Sequence, residues 1–280
     1  MTLIAGFSCP DGLVIAADTE IGYGPINFQN SKIQSTFSDK YGYTLTIGGA
    51  GHVSYFTMAS QKIRDEIAIL TDPTLASIKD VIGKTISEVH EKYIFKHWDA
   101  AAEERPRFDL IIGINDGNGG RMVLRSDDVA LTEVRSYDFI GSGSSVAHLV
   151  AERLITPGLS TAVTLHLVGQ IFREVKGKGA AVGGNTEIYA NRKDKDAEQF
   201  FDLRLKDYRF IWGLEEAVLG GMRNALIKNR DDPKSIPECV KFIEETLRSI
   251  RIETDKPRAN AGDEQHFIEF GSEYLNPWKP

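Results

Sequence analysis

An α+β fold is what this sequence predicts, and three observations carry the prediction. Short apolar runs bounded by turn residues open the chain. Two long stretches with helical spacing then follow as a block. The same succession, strands and then two helices, returns once before a last strand. Segregated runs of this kind suggest layered sheets and helices rather than alternating strand–helix–strand units.

The first two strands are expected at residues 3–7 and 13–17. Pro10, Asp11 and Gly12 lie between them and supply turn geometry, so the pair reads as a hairpin. The unbroken apolarity of Leu13-Val14-Ile15-Ala16-Ala17 suggests a strand covered on both faces. Residues 41–47 alternate loosely and run into Gly48-Gly49-Ala50-Gly51, a strand ending in a glycine turn. Phe56, Ile63, Ile67 and Leu70 then recur at near-helical spacing over 53–70, and a second helix is expected over 74–97. Their apolar faces need a sheet to pack on. Further strands are expected at 108–114 and 121–124, with a polar, glycine-rich turn between them. Phe139-Ile140 leads into Gly141-Ser142-Gly143-Ser144 and a helix over 146–154. Ser160 suits the N-cap of another helix, 161–175, and a strand at 186–190 closes the series. From about residue 193 the character changes. A charged stretch precedes two further helices, at 208–228 and 235–250, so the core is placed at 1–193 and a helical extension at 194–280.

The composition narrows the function. With 280 residues, 41% hydrophobic, the chain can bury a substantial core. A net charge of −7 argues against a broad nucleic-acid surface. Cys9 and Cys239 stand far apart and form no disulfide framework or paired-cysteine metal motif. The start shows no basic and apolar segments of a secretory leader, and no run approaches the roughly 18 apolar residues of a membrane span. A cytoplasmic protein without membrane contact is therefore expected. No metal-ligand cluster is visible, and the glycine-rich segments 117–120 and 177–184 lack phosphate-loop spacing, so neither a metal nor a cofactor is expected.

Several short segments, taken together, resemble a known family. Thr2-Leu3-Ile4-Ala5-Gly6, then Asp11-Gly12-Leu13-Val14 and Ala16-Ala17-Asp18-Thr19, are similar to the start of a mature proteasome β subunit. The likeness continues at Asn30-Ser31-Lys32-Ile33, Gly48-Gly49-Ala50-Gly51, Ile140-Gly141-Ser142-Gly143-Ser144 and Gly183-Gly184. The bacterial ATP-dependent protease HslV and the Anbu proteins share that scaffold. The resemblance implies a four-layer αββα sandwich, the N-terminal-nucleophile (Ntn) hydrolase fold, and it does not reach the C-terminal extension.

The implied chemistry suits these residue types. A threonine hydroxyl is a weak nucleophile and needs a neighbouring base. An N-terminal threonine brings its own, because an α-amino group titrates at about pH 8. Thr2 meets that condition once Met1 is removed, and no histidine is then required. By the resemblance, Lys32 would stand beside the Thr2 hydroxyl and favour its alkoxide, with Asp18 pairing Lys32. Asp18 follows a run of apolar strand residues, where a charge is costly unless paired. The alternative is a turn-capping Asp18 and a solvated Lys32. Gly51 matches the glycine whose backbone N–H forms the oxyanion hole. Ser142 matches the serine that holds the nucleophile's amine, or else caps a helix. Asn30, Gly49 and Val53 would line the first substrate pocket, which would accept a fairly large neutral side chain. His52, after the glycine turn, either faces substrate or lies on the surface at a helix start. The family completes its amine site with an Asp and a Ser, and here those positions fall on Gly179 and Val182.

The reading that follows is a threonine-type peptidase acting on peptides or proteins, assembled as a homo-oligomeric ring or spiral, with an ATPase unfoldase as partner only by analogy. Two alternatives remain beside it: a catalytically silent proteasome-like scaffold subunit, and an Ntn amidase acting on a non-peptide amide.

Overall fold

The computed structural model describes residues 2–23, 26–71, 73–99, 105–116, 118–178, 182–192 and 198–200. The helices expected at 208–228 and 235–250 lie outside the described residues, as does all of the extension expected from 194 except 198–200.

The chain opens with β1 (Ile4–Cys9) and β2 (Gly12–Asp18), an antiparallel hairpin that sets Ile4 opposite Ala17. Every residue of β2 is buried, as its continuous apolarity implies. A two-stranded ribbon follows, β3 (Glu20–Tyr23) and β4 (Ile26–Gln29), then β5 (Ile33–Phe37) and β6 (Thr44–Gly51). Helix α1 (Val53–Ala68) buries Phe56, Ile63 and Ile67 on one stripe. Helix α2 (Leu75–Val89) starts at Thr74, whose hydroxyl accepts from Ser77 N–H while Ser77 Oγ accepts from Thr74 N–H. The single helix expected over 74–97 is in fact interrupted: after Val89 the chain makes a π turn, His90–Ile94, and a 3-10 turn, Phe95–His97.

The second half repeats the pattern. Strands β7 (Phe108–Asn115), β8 (Arg121–Asp127), β9 (Ala130–Glu133) and β10 (Tyr137–Ile140) lead to α3 (Ser144–Leu154) and α4 (Thr161–Gly177). Ser160 caps α4, its hydroxyl accepting from Val163 N–H at 3.5 Å. Strands β11 (Thr186–Arg192) and β12 (Glu198–Phe200) close the described chain.

Two five-stranded antiparallel sheets result, ordered β10-β1-β2-β11-β12 and β5-β6-β7-β8-β9. Ile4, Leu13, Ile15 and Ala17 of the first sheet meet Ile33, Ile111 and Val123 of the second in an inner core. On the outer face of the second sheet, Ile47, Leu110, Ile112 and Leu124 pack against Ile63, Ile67, Ile78 and Ile82 of α1 and α2. Helices α3 and α4 cover the first sheet, burying Val150, Val168 and Phe172. The described residues therefore form an α+β sandwich of four layers, helices, sheet, sheet, helices, as the resemblance implied.

Strand parity divides β7 between these cores. Leu110, Ile112 and Ile114 face the helices, whereas Ile111 faces the opposite sheet. Strands β3, β4, β5 and β9 were not foreseen, because none carries an apolar run long enough to show a period. In β5, Gln34, Ser35 and Thr36 stand together, and β9 is an edge strand that leaves Ala130, Thr132 and Glu133 exposed.

Candidate active site

The start of β1 lies between two loops that converge on it, and the backbone sets the geometry first. Thr2 C=O accepts from Gly143 N–H at 3.2 Å, in the turn between β10 and α3. Gly141 has φ +94°, and a Cβ there would stand 2.3 Å from the Thr2 carbonyl oxygen. Only glycine fits that close approach. At the other end of the site Gly51 has φ +95°, and a Cβ on it would meet Arg107 O at 2.3 Å.

Asp18 ends β2 directly beside β1. It is fully buried, and its Oδ1 accepts from Leu3 N–H at 2.7 Å and from Lys32 Nζ at 2.8 Å. Lys32 stands just before β5, is 3% exposed, and also donates to Thr2 Oγ1 at 3.1 Å. Burial pushes the Lys32 ammonium below the ordinary lysine range, and the charge and hydrogen bond of Asp18 oppose that fall. Of the two readings of this pair, a surface turn cap with a solvated lysine is excluded by the burial of both side chains. Among the described residues, no donor reaches Asp18 Oδ2.

Ser142 Oγ accepts from Thr2 N–H at 3.1 Å. It does not cap α3, whose N-cap is Gly143 with no side-chain hydrogen bond. The Thr2 nitrogen is a peptide N–H while Met1 is attached, and the same atom becomes an amine when Met1 is removed. Val182, at the position where the resemblance looks for a serine, is buried, and a Cβ on Gly143 would come within 2.6 Å of its Cγ2. An apolar side chain there offers the amine nothing. Gly179 lies outside the described residues.

These groups border a cleft of about 320 Å³ lined by Thr2, Lys32, Gly49, Gly51, Val53 and Ser142, together with Ile21, Gly22, Ala50, Phe56, Asp109 and Gly141. Thr2, Lys32, Gly51, Ser142, Gly49 and Val53 are thus brought to one place, with Asp18 behind Lys32. Asn30 is not among the lining residues. It is exposed, its carboxamide oxygen accepts from Ser31 N–H at 2.9 Å, and its own N–H donates to Thr19 O at 2.9 Å. His52 is also outside the lining. It occupies the N-cap position of α1, exposed, with its ring 4.7 Å from that of Tyr55.

Asp109 is the residue that sequence reasoning missed. Burial raises its carboxyl above the usual carboxylate range, and Asp127 adds to the shift while Arg125 opposes it. The signal was available, since Asp109 is a lone charge near the start of an otherwise apolar strand. A single polar residue near a strand end more often reads as the solvent boundary. Among the described residues no group of side chains could hold a metal ion, and no helix is long and apolar enough to cross a membrane.

No protein-family model matches the chain, and no curated protein is significantly similar to it in sequence. Solved structures do match it. Anbu from Hyphomicrobium sp. strain MC1 is 15% identical with a TM-score of 0.64, over 81% of this chain and 97% of that one. The helical assembly of the Anbu complex from Pseudomonas aeruginosa is 13% identical with a TM-score of 0.66, over 84% and 99%. Anbu, described as an ancestral β-subunit, from Yersinia bercovieri is 13% identical with a TM-score of 0.62, over 75% and 93%. At such identities the likeness is one of fold, and this chain has the proteasome-like fold of the Anbu structures.

Proposed function

We propose that the chain is an N-terminal threonine hydrolase of amide bonds, with Thr2 as nucleophile after loss of Met1. The observation that carries this reading is the Lys32 ammonium, held 3.1 Å from Thr2 Oγ1 by a buried Asp18 at the edge of an open cleft. A buried lysine and aspartate are costly to keep for stability alone, since apolar residues of similar volume commonly serve as well.

In the proposed mechanism the Thr2 hydroxyl proton passes to the Thr2 amine as Oγ1 bonds to the substrate carbonyl carbon. Lys32 stabilises the developing alkoxide. Gly51 N–H faces the carbonyl oxygen as it becomes an oxyanion, a role commonly worth several kcal/mol. The C–N bond then breaks, and the leaving amine takes the proton held by the Thr2 ammonium. Water attacks the resulting ester and gives a proton to the same amine; the C–Oγ1 bond then breaks, Oγ1 takes that proton back, and a carboxylic acid leaves. Ser142 accepts a hydrogen bond from the Thr2 nitrogen throughout, which aims the lone pair of the neutral amine. Peptides or proteins are the expected substrates. By extension from the Anbu structures, one of which is a helical assembly, this chain assembles with copies of itself.

A second reading, a catalytically silent assembly subunit, is favoured by one observation: Val182 gives the amine no polar support. Intact mass and a threonine-directed covalent inhibitor separate the two. Loss of Met1 with labelling of Thr2, and hydrolysis of peptide substrates that Thr2→Ala abolishes, is the expected result. Retained Met1 in folded protein would overturn the catalytic reading. Hydrolysis of acyl amides but not of peptides, again lost in Thr2→Ala, would assign the amidase alternative.

A further inference from the structure

Asp109 occupies a place where its neighbours on the same face are apolar. Along β7 the odd-numbered positions point between the sheets, where Ile111 lies in the inner core. A Cβ on Gly113 would meet Leu13 and Ile15 of the first sheet at 2.8 and 3.1 Å, so that row faces inward as well. Asp109 continues the row to the end of the sandwich, opposite Ala50 of β6, and there it lines the cleft that Thr2 borders. A carboxylate on an inward row gains nothing from the apolar core, and this one also lines the cleft.

Its surroundings leave negative charge in surplus. Asp127 and Asp128 both act on Asp109 as like charges, while the Arg125 guanidinium and a hydrogen bond from the Asp128 backbone N–H favour its charged form. That guanidinium is already engaged, donating to Asp138 at 3.0 Å and lying 3.9 Å from Asp127. Lys32, the cation lining the cleft, is held by Asp18. Phe56 and Val53 line the same cleft and give it apolar surface. An apolar wall with one carboxylate matches the shape of an arginine or lysine side chain, whose stem packs on apolar atoms while its head seeks an anion.

We propose that Asp109 is a specificity-determining residue that makes this cleft select a substrate with a cationic side chain, arginine or lysine, next to the bond attacked. The proposal rests on the reading of the cleft as the substrate site. It replaces the neutral first pocket expected from Gly49 and Val53 with a charged one. The carboxylate pairs with the substrate cation and supplies no proton to the reaction.

The test uses the full-length chain carrying Thr2→Ala, so that binding is read without turnover. Affinities are measured for N-acetylated peptide amides that are identical except for arginine, citrulline, leucine or glutamate at one position. The arginine peptide is expected to bind roughly tenfold or more tighter than the citrulline peptide, which has nearly the same shape without the charge. In Asp109→Asn that preference should fall to within about twofold, while Asp109→Glu keeps most of it. Equal binding of arginine and citrulline peptides, no binding of either, or a preference unchanged in Asp109→Asn each overturns the proposal. The citrulline comparison needs no change at Asp109, so it stands even if Asp109→Asn folds poorly. Arginine-selective binding together with an inert Thr2 protein would remove the hydrolase reading and leave only the cation selectivity of the cleft.

Discussion

Lys32 and Asp18 stabilise each other at a cost that shows when one is removed. Lys32→Met leaves Asp18, fully buried, with the hydrogen bond from Leu3 N–H and without the Lys32 counter-ion at its Oδ1. Breaking one side of such a pair commonly costs about 3–5 kcal/mol. The expected outcome is a marked fall in melting temperature, measured by calorimetry, together with loss of any Thr2-dependent hydrolysis. Adding Asp18→Asn to Lys32→Met should restore much of the stability and none of the activity. If stability is unchanged in the single variant, the pair is not the buried unit described above. Asp18 could be singled out in the sequence because it follows an apolar strand, and Lys32 because its segment resembles one of a proteasome β subunit. Asp109 carried no such motif. Its inward orientation follows from strand parity only once the strand that faces β7 is known.

The elements around the site set its precision. Gly141 lets the turn before α3 press against the Thr2 carbonyl, and Gly141→Ala would force a Cβ into that oxygen at a backbone conformation unfavourable to alanine. A destabilisation of about 1–3 kcal/mol is expected. The rate of covalent labelling at Thr2 should also fall, because the displaced turn carries Ser142. Labelling at the unchanged rate would mean that the turn does not position Thr2. At the end of α2, His90 is fully buried against Phe108, ring centroids 4.7 Å apart. Among the described residues neither ring nitrogen has a hydrogen-bond partner. Burial lowers its pKa, with Asp128 opposing, so the folded protein binds the proton less readily than the unfolded chain. The stability that His90 contributes as a neutral ring is therefore present above the unfolded value, about pH 6.5, and is lost as pH falls through the lower folded value. Between pH 7 and pH 5 the melting temperature should drop more for the native chain than for His90→Phe. An equal drop in both would show that His90 is not the group titrating. The interruption of the helix after Val89 had no sequence signal, since residues 90–97 hold neither glycine nor proline.

At the scale of the molecule, the core between the sheets and the core under α1 and α2 are built from residues between Ile4 and Tyr189. Compactness divides the chain into Met1–Leu205 and Lys206–Pro280. A fragment ending at Leu205 should therefore fold and melt cooperatively, because it retains both sheets and all four helices described. Loss of cooperative melting in that fragment would place part of its stability in the remainder of the chain. Strand β12 at Glu198–Phe200 belongs to the first sheet through its pairing with β11.

The sequence alone determined the α+β class, most of the long strands and helices, and the segments around Thr2, Asp18, Lys32, Gly51 and Ser142. Hydrophobic period and turn residues are local properties, and short motifs carry their spacing with them. Only the tertiary structure decided that Asp18 and Lys32 are buried together, that Ser142 turns to Thr2 rather than to its own helix, and that Asn30 stands outside the cleft. It also decided that Val182 is buried and that Asp109 lines the cleft bordered by Thr2. Those are outcomes of which strands lie opposite one another, and the register of two sheets joined by distant segments is not encoded in any one stretch of chain.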